Sequence, residues 1–280
     1  MARIAVVGSY GAGLTFGSER FPERGESVIG ELFRIDHGGK GSNQAIGAAR
    51  LGANAALLTA IGEDTFGDGA VELWAAEGVD ADSVVRTSTP TMTAAILVEA
   101  GGDNRIVIVP GALAELAPAH VDAFAEQIAA ADVLLVQLEI PLETALHALD
   151  VAREAGVRSI LNPAPAPPHP IAPEADYIAP NETEAPAVAG ARGTLVLTLG
   201  EQGARLGDEH VPAFPAEAVD TTGAGDAFCA AFAVALAEGA EELDAVRWGC
   251  AAGAHMVEHE GVVPGLPTRA ELEQRLGVTA

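Results

Sequence analysis

Cysteine, lysine and aromatic residues are all scarce in this sequence. Among its 280 residues there are two cysteines and a single lysine, and the aromatic fraction is 4%. Cys229 and Cys250 lie in apolar helical stretches and lack the spacing of metal ligands, which leaves no cysteine pattern for a metal site or a disulfide scaffold. We predict two buried thiols in a reducing compartment, and a core made of Ala, Val, Leu and Ile side chains.

Basic residues are few as well, and long apolar runs are absent. Fifteen Lys and Arg residues stand against 40 Asp and Glu residues, which gives a formal net charge of −25. A nucleic acid partner is not expected, because binding to a phosphate backbone requires basic patches. No apolar run reaches the length of a membrane span, and residues 1–8 lack the layout of a signal peptide. We therefore expect a cytoplasmic protein without a membrane partner, whose acidity favours solubility.

Short apolar runs alternate with helical patterns over most of the chain. The runs have the length of buried strands and occupy residues 4–7, 55–61, 133–138, 159–161, 177–179 and 195–199. Helical patterns are found at 43–51, 69–77, 121–130, 142–155, 227–236, 243–259 and 269–275. This order predicts an α/β fold with a doubly wound, mostly parallel sheet flanked by helices on both faces, in a single domain over residues 1–280.

Two segments do not fit this alternation. Residues 26–35 and 92–109 have strand-like patterns without intervening helices, and the second is interrupted by a hairpin-like turn at 101–104. Such strands can pair with each other at one end of the main sheet. We predict a small β-sheet lid formed by roughly residues 9–36 and 90–110.

The segment 220–226 has the composition of a phosphate site with a base beside it. Two carboxylates bracket a pair of glycines at the start of a predicted helix, and Gly223 and Gly225 let the backbone approach a ligand closely. Backbone N–H groups at this helix start would face a phosphate, because the first turn of a helix has unpaired N–H groups and a partial positive charge. A carboxylate beside a bound phosphate would be repelled by it, so it is better suited to handle a proton or a cation. The segment therefore has the composition of an anion site with a base beside it, as phosphoryl transfer to an alcohol requires.

A second glycine cluster runs over residues 37–44 and is followed by a helical pattern at 45–52. It contains Lys40, the only lysine of the chain. A composition that otherwise uses arginine for its basic residues keeps this one lysine inside a glycine turn. The position suggests a functional rather than a structural role.

Two further patterns favour other functions. Gly8, Gly11 and Gly13 follow the first predicted strand in the manner of a dinucleotide fingerprint, which would indicate an oxidoreductase. No helix pattern follows them directly, and no acidic residue ends a second strand at the usual distance. The other pattern is a His-x-x-Glu-His sequence formed by His255, Glu258 and His259. It is typical of inverted zinc peptidases, although little of the chain remains downstream for a further acidic ligand.

Taken in order, the motifs resemble the ribokinase-like (PfkB) carbohydrate kinases over nearly the whole chain. Residues 38–52 and 220–228 resemble the two signatures of that family. Between them, four segments occur in the family's order, at residues 137–139, 162–166, 181–184 and 198–200. Residues 38–44 and 162–166 are most similar to the ribokinases of the family. The resemblance implies a doubly wound α/β domain with a β-lid, and a homodimer joined through the lids.

The resemblance also implies roles for single residues. Asp226 would accept the proton of a sugar hydroxyl, while Gly223, Ala224 and Gly225 would bind the transferring phosphoryl group. The acceptor-binding residues would be Gly39, Lys40, Asn43 and Glu139. ATP would be the phosphoryl donor, and the acceptor would be a sugar or a nucleoside. A non-catalytic sensor of sugars or nucleotides on the same fold is the alternative from another class, and it would have no use for the base.

Nucleotide and cation sites are implied in the same way. The nucleotide would be bound by Asn181, Thr198, Gly200 and Gly203. Glu184, three residues after Asn181, would hold Mg²⁺ through its waters, because Mg²⁺ retains much of its hydration shell. Asn181 and Glu184 could instead form a turn and a helix cap. A monovalent cation, typically K⁺, would be held by Asp220, Thr222 and Val262.

The chain departs from the ribokinase pattern on the acceptor side. Where ribokinases have an Asn-Ala-Asp sequence whose Asp binds two sugar hydroxyls, this chain has Gly11, Ala12 and Gly13. Leu113 likewise stands where Asn is common. These changes, together with Tyr10, would favour a less polar or base-bearing acceptor such as a nucleoside. The segment between residues 184 and 195 is also shorter than is usual in the family.

Overall fold

The computed structural model describes residues 1–278, so the last two residues of the predicted 1–280 domain lie outside the described residues. The strands, in chain order, are β1 (Arg3–Val7), β2 (Gly11–Ser18), β3 (Leu32–Gly38), β4 (Asn54–Leu58), β5 (Ala60–Gly62), β6 (Val85–Thr87), β7 (Thr93–Glu99), β8 (Asn104–Val109), β9 (Val133–Gln137), β10 (Arg158–Asn162), β11 (Glu174–Ile178), β12 (Arg192–Thr198), β13 (Ala204–Leu206) and β14 (Glu209–Val211). The helices are α1 (Lys40–Arg50), α2 (Thr65–Glu77), α3 (Pro118–Ala123), α4 (Ala125–Ala130), α5 (Leu142–Ala155), α6 (Ala224–Ala237), α7 (Glu242–Met256), α8 (Val262–Gly265) and α9 (Arg269–Leu276).

The main sheet has eight strands in the order β14-β13-β12-β11-β10-β9-β1-β4. The six strands from β12 to β4 run parallel, and the β13–β14 hairpin adds two antiparallel strands at one edge. The first strand of the chain lies inside the sheet, so the strand order reverses on either side of β1. This arrangement confirms the predicted doubly wound, mostly parallel sheet.

Helices cover both faces of this sheet, as predicted. In β1, Ile4 and Val6 point to one face and pack with α1, α6 and α7, while Ala5 and Val7 point to the other face and pack with α3, α4 and α5. Successive side chains of a strand point to opposite faces, which explains why a central parallel strand is apolar at every position. Between residues 226 and 236 every residue of α6 is buried, so this helix is enclosed by the core on all sides.

A second, smaller sheet has four strands in the order β3-β2-β7-β8. Strands β7 and β8 form the predicted hairpin, with its turn between Glu99 and Asn104. The prediction of strand structure over 26–35 was wrong at its start, since β3 begins only at Leu32. Several large apolar side chains of this sheet are exposed, among them Phe16, Phe33, Ile35, Ile106 and Val107.

Three other element predictions were wrong in detail. The predicted strand over 55–61 is divided at Thr59, because the carbonyl of Thr59 accepts from Val85 and turns the chain toward β6. The predicted helix over 121–130 is interrupted at Phe124. The predicted helix over 243–259 ends at Met256, and the carbonyl of the next residue accepts hydrogen bonds from the segment before α6. None of the helices in the described part of the chain has the length and apolar character needed to cross a bilayer.

Candidate active site

The polar residues singled out above meet at one edge of the main sheet. Parallel strands end at the same edge, and Glu139, Asn162 and Asn181 follow or end β9, β10 and β11 there. The first turns of α1 and α6 reach the same place, which brings Lys40 and Asp226 to it. Such an edge, at the point where strand order reverses, is where ligands bind in open α/β sheets.

Asp226 lies at the start of α6 and is buried, with 4% of its surface exposed. Its two carboxylate oxygens accept from different amides, Oδ2 from Asn43 Nδ2 at 2.8 Å and Oδ1 from Gln44 Nε2 at 3.0 Å. Burial raises the pKa of Asp226, while the charge of Lys40 and these two hydrogen bonds act in the opposite direction. A carboxylate with a raised pKa, held in one orientation, is well suited to accept a proton.

Further buried amides hold Gln44 itself in place. Its Oε1 accepts from Gln137 Nε2 at 2.6 Å, so its Nε2 must face Asp226 and Asn162. Asn162 Nδ2 in turn donates to the carbonyl of Ala179 at 3.0 Å. This chain of hydrogen bonds connects the ends of β9 and β10 to the predicted base.

We predict that Gln44→Met shifts the acidic side of the pH–rate profile to higher pH. The ionised form of Asp226 would lose a hydrogen-bond donor, so its pKa would rise further and less of it would be ionised at neutral pH. The profile of kcat/KM measures this directly. Gln127→Met is a matched control, because Gln127 donates to Ser83 instead, at 3.4 Å. An unchanged acidic side in Gln44→Met would contradict the prediction.

Lys40 begins α1 and has three carboxylates around it. The pKa of its ammonium group is raised mainly by the charge of Asp226, with smaller effects of Glu139 and Glu184. Glu139 accepts from the Lys40 backbone N–H at 2.9 Å and from the hydroxyl of Ser9. The one lysine of the chain is therefore held, fully charged, between the predicted base and the predicted acceptor and metal residues.

Glycines are required where the loop after β1 meets α1. Gly39 has φ 93°, and a Cβ at this position would lie 2.5 Å from Tyr10 Cα. A Cβ at Gly41 would lie 2.5 Å from the backbone nitrogen of Ser9. The close approach of the two backbones explains the glycine cluster and places Lys40 and Asn43 beside the strand ends.

The glycine turn before α6 leaves backbone N–H groups free at the helix start. Gly223 has φ 82° and is the residue before the first turn, where the conformation favours glycine. Within residues 1–278, no group accepts from the N–H of Gly223, Gly225 or Asp226. The N–H of Ala224 is directed at the carbonyl of Thr221 at 3.3 Å. The helix start can therefore bind an anion through N–H groups beside the carboxylate of Asp226.

The predicted cation residues lie next to this turn. Asp220 Oδ1 accepts from the N–H of Thr222 at 2.9 Å, and Oδ2 accepts from Gly261 at 3.5 Å. Burial tends to raise the pKa of Asp220, but these hydrogen bonds prevail and lower it. Val262 packs its side chain against Gly223, and its carbonyl already accepts from Leu266 at 3.1 Å.

The predicted nucleotide residues come together at the ends of β11 and β12. Asn181 and Thr198 form a parallel β-bridge, and the turn at Gly200 and Gly203 follows directly. Asn181 Oδ1 accepts from the N–H groups of Thr183 and Glu184, each at 2.9 Å, and Glu184 Oε2 accepts from the N–H of Asn181. Asn181 and Glu184 thus form the turn and cap that the sequence analysis gave as the alternative to a metal role. Burial raises the pKa of Glu184.

Sequence reasoning gave no role to Ser9, Gln44 or Gln137, which complete the site. The sequence did contain a signal for them, because each is a polar residue at the end of an apolar strand or beside a glycine cluster.

Two residues that the sequence placed near the acceptor are buried in the structure. Tyr10 and Leu113 have only 0% and 1% of their surface exposed. Tyr10 hydroxyl bonds to His37 Nδ1 at 2.8 Å, and Leu113 belongs to the core. Neither side chain is available to contact an acceptor.

The zinc-like pattern begins at the end of α7 with His255 and continues into the following turn, and its residues are engaged in other interactions. His255 and His259 stack at 4.5 Å, and a ring nitrogen of His259 bonds to the carbonyl of His255 at 2.9 Å. Glu258 pairs with Arg275. Throughout the part of the chain that the structure describes, no group of three or more His, Cys, Asp and Glu side chains is arranged to hold a metal ion.

Comparison with known proteins identifies relatives along the full length of the chain. The family model of the pfkB family carbohydrate kinases matches residues 1–269. Ribokinase of Bacillus subtilis is 40% identical over 99% of this chain and 100% of its own length. Deoxyribokinase of Salmonella typhi is 32% identical over 98% of this chain and 99% of its own length.

Solved structures give the same result. Ribokinase from Thermotoga maritima superposes with a TM-score of 0.87 and 33% identity, covering 99% of this chain and 100% of its own. Arabidopsis thaliana ribokinase, solved with ribose and ATP, has a TM-score of 0.89 and 30% identity, with both chains fully covered. Fold, site geometry and sequence agree, and the chain belongs to the pfkB family of carbohydrate kinases.

Proposed function

We propose that this carbohydrate kinase transfers the γ-phosphoryl group of ATP to a hydroxyl of a pentose or a closely related acceptor, with Asp226 as the base. The observation that carries the proposal is the buried carboxylate of Asp226 at the start of α6, fixed by Asn43 and Gln44 beside free backbone N–H groups. Its relatives of 40% and 32% identity are a ribokinase and a deoxyribokinase, which supports a pentose as acceptor.

The chemistry follows from these positions. Asp226 accepts the hydroxyl proton as the oxygen bonds to phosphorus, and it need not deprotonate the alcohol beforehand. The free N–H groups of Gly223 and Gly225 would face the charge that develops on the transferring phosphoryl group, and the N–H of Ala224 would join them by turning away from the Thr221 carbonyl. Most of the rate comes from positioning and from this electrostatic stabilisation, because phosphoryl transfer itself needs little covalent help from the protein.

The acceptor is held by groups that can match several hydroxyls. Among the described residues, Asn43 Oδ1 is buried and accepts no hydrogen bond, although Asn43 Nδ2 donates to Asp226. An acceptor hydroxyl that donates to this oxygen would lie directly beside the base. Glu139 and Lys40 add an acceptor and a donor nearby, and the backbone of Gly39 lets the sugar approach closely.

Mg²⁺ fits the carboxylate of Glu184. One of its oxygens is engaged with the Asn181 N–H at 2.9 Å, which leaves the other to hold a water of the ion's hydration shell. When bound, the ion would neutralise charge on the phosphates of ATP. Asn181, Thr198, Gly200 and Gly203 would border the nucleotide at the ends of β11 and β12.

We predict that K⁺ activates the enzyme and that Asp220→Asn weakens this activation severalfold. Asp220 carries its charge at the turn beside Gly223, so a cation held there with Thr222 and Val262 would stabilise the anion-binding turn. Initial rates measured at equal ionic strength in K⁺ and in Na⁺ test the prediction. Equal rates in the two buffers would remove the cation from the proposal and leave the transfer chemistry intact.

The acceptor's identity depends on Gly13. This residue pairs with Asp36 of β3 in the small sheet, and a Cβ there would have only ordinary contacts, the nearest 3.5 Å away at Ile96. An acidic side chain would thus fit at residue 13, but the chain has none. This favours acceptors with fewer hydroxyls than ribose, or a nucleoside as the second candidate.

The direct test is ADP release from Mg·ATP across a panel of ribose, 2-deoxyribose, hexoses, keto-sugars and nucleosides. Turnover with one of them, lost in Asp226→Asn, would establish the kinase and name its substrate. If ribose is the best acceptor of the panel, the absence of an acidic side chain at residue 13 has little effect on the choice of acceptor. ATP binding without turnover on any acceptor would favour a sensor.

We further propose that the small sheet acts as a lid and joins two chains in a homodimer. Phe16, Phe33, Ile35 and Val107 are between 43% and 66% exposed. An apolar sheet surface with open edges favours a second sheet as its partner. Sedimentation analysis tests this, and a monomer at micromolar concentration would refute it.

A further inference from the structure

Arg34 connects the small sheet to the body of the protein. It lies on β3, and its Nε donates to Asp36 Oδ2 at 2.5 Å on the same face of the sheet. Its Nη1 donates to Glu260 Oε1 at 2.7 Å, in the loop between α7 and α8. The two carboxylates raise the pKa of Arg34, which is thus a fixed positive charge between the two parts of the molecule.

The loop that Arg34 reaches also supports the anion-binding turn. We call residues 257–262 the support loop. Its first carbonyl, that of Val257, accepts from the N–H groups of Val219 and Asp220 at 2.7 and 3.2 Å. At its other end Gly261 donates to Asp220, and Val262 packs against Gly223 so closely that a Cβ on the glycine would lie 2.6 Å away.

Helix α8, which follows the support loop, is held by a separate set of contacts. Arg50 of α1 donates through Nη1 to the carbonyls of Val263 at 2.7 Å and Leu266 at 2.8 Å, and it forms an ion pair with Glu77. Helix α8 is thereby fixed to the main domain. The small sheet reaches this region through the Arg34–Glu260 pair and through packing of β3 against α8.

Arg34 is also close enough to act on Asp220. Hydrogen bonds from Thr222 and Gly261 lower the pKa of Asp220 against the effect of burial, and the charge of the Arg34 guanidinium adds to them. Because Glu260 is 73% exposed on its side chain, its pairing with Arg34 contributes little to global stability. The Arg34–Glu260 pair is therefore better explained by the orientation it gives the support loop than by a contribution to the free energy of unfolding.

We propose that Arg34 is a positioning residue that makes the anion-binding turn depend on closure of the small sheet. With the sheet over the acceptor, Arg34 holds Glu260, and the support loop then keeps Asp220 and Gly223 in the geometry that binds the phosphoryl group. With the sheet open, this restraint is absent and phosphoryl transfer to water is disfavoured. The inference rests on the proposed function for its catalytic consequence and on the proposed lid for closure, whereas the contact between Arg34 and the support loop is observed directly.

The kinetic test compares Arg34→Met with Arg20→Met. Arg20 also belongs to the segment around the small sheet, but it pairs with Glu26 and does not reach the support loop. We expect Arg34→Met to lower kcat by about fivefold to tenfold, within the usual range of coupling between sites, while KM for ATP stays within about twofold. Arg34→Lys should restore part of the loss. Equal kinetics of Arg34→Met and Arg20→Met would overturn the proposal.

Glu260→Gln provides the partner test. Combined with Arg34→Met it should lower kcat no further than Arg34→Met alone, because both substitutions break the same contact. Additive losses would mean that Arg34 acts through something other than Glu260, against the proposal.

Hydrogen exchange provides a readout that does not need activity. The amides of residues 257–262 should exchange faster in Arg34→Met than in the wild type or in Arg20→Met, without any nucleotide or acceptor present. If the wild type is active and amide exchange over residues 257–262 is unchanged in Arg34→Met, the positioning role is overturned and the proposed function stands. A wild type inactive on every acceptor would refute the proposed function, and the exchange result would then decide the positioning role by itself.

Discussion

Asp226→Asn should lower kcat by a factor of roughly 10³, within the range of about 10²–10⁴ that general base catalysis contributes. The amide cannot accept the hydroxyl proton, although it has nearly the same shape as the carboxylate. The free N–H groups at the start of α6 and the ends of β11 and β12 are unchanged, so binding of ATP should persist. Steady-state kinetics with the best acceptor of the panel, together with a direct ATP-binding titration, measures both effects.

The same substitution should not destabilise the protein at neutral pH. Burial raises the pKa of Asp226 above its unfolded value, so the folded state favours the protonated carboxyl. The stability that this carboxyl contributes is present below the unfolded pKa and is lost as the pH rises through the folded pKa. At pH 7 the neutral amide therefore avoids the penalty of a buried charge. It can also donate to Asn43 Oδ1, which has no partner among the residues described, if the Asn43 amide turns over.

Unfolding curves of the wild type and of Asp226→Asn at pH 7 and near pH 4 test the direction of this stability difference. Asp226→Asn should be at least as stable as the wild type at pH 7, and any advantage should shrink toward acidic pH. Near wild-type turnover in this variant would contradict the assignment of the base. A large loss of stability at pH 7 would contradict the account of its burial.

Gly223→Ala should lower kcat by about 10²–10³, the usual effect of removing a donor to a developing oxyanion. The new methyl group would lie 2.6 Å from Val262 Cγ1, so either the turn or the support loop must move. Alanine also disfavours the positive φ of 82° by roughly 1–2 kcal/mol. The displacement changes the direction of the N–H groups that face the phosphoryl group. Kinetics at saturating ATP and acceptor measure the loss.

Gly52→Ala separates the backbone strain from the steric clash. Gly52 has φ 87°, but a Cβ there meets nothing within 4 Å, so the variant has similar strain far from the site. It should lose stability and keep its kcat. Adding Val262→Ala to Gly223→Ala should recover part of the activity, because it removes the atoms that clash. Equal kinetic losses in Gly223→Ala and Gly52→Ala would contradict the role of the turn.

The main sheet and the catalytic turn were predictable because their signals are local. Residues 4–7 and 133–138 are apolar at every position, as central parallel strands must be, and the glycine pair before α6 marks a turn that can approach a phosphate. Family resemblance then gave the roles, which geometry makes chemically reasonable. The hydrogen bonds of Asp226 were within reach too, since Asn43 and Gln44 lie in the second glycine cluster.

What could not be predicted depends on contacts between distant segments. Tyr10 reads as a loop residue after a strand, yet it is buried because His37 and Trp74 come to it from β3 and α2. Residues 204–211 are too short and too polar to indicate two strands, and they form a hairpin because β12 offers its edge. The ion pair of Arg34 and Glu260 joins residues 226 positions apart, which no local pattern encodes.

The burial of α6 on all sides has a consequence for how the enzyme loses function on heating. A helix enclosed by the core opens only when the whole cooperative unit unfolds, whereas exposed edges open by themselves at lower free energy. Asp226 stands on this helix, while Thr198 and Gly200 stand near the exposed β13–β14 edge. As temperature rises, fraying at that edge would weaken nucleotide affinity first, and the phosphoryl-transfer machinery would survive until global melting. Apparent KM for ATP should therefore climb before kcat collapses.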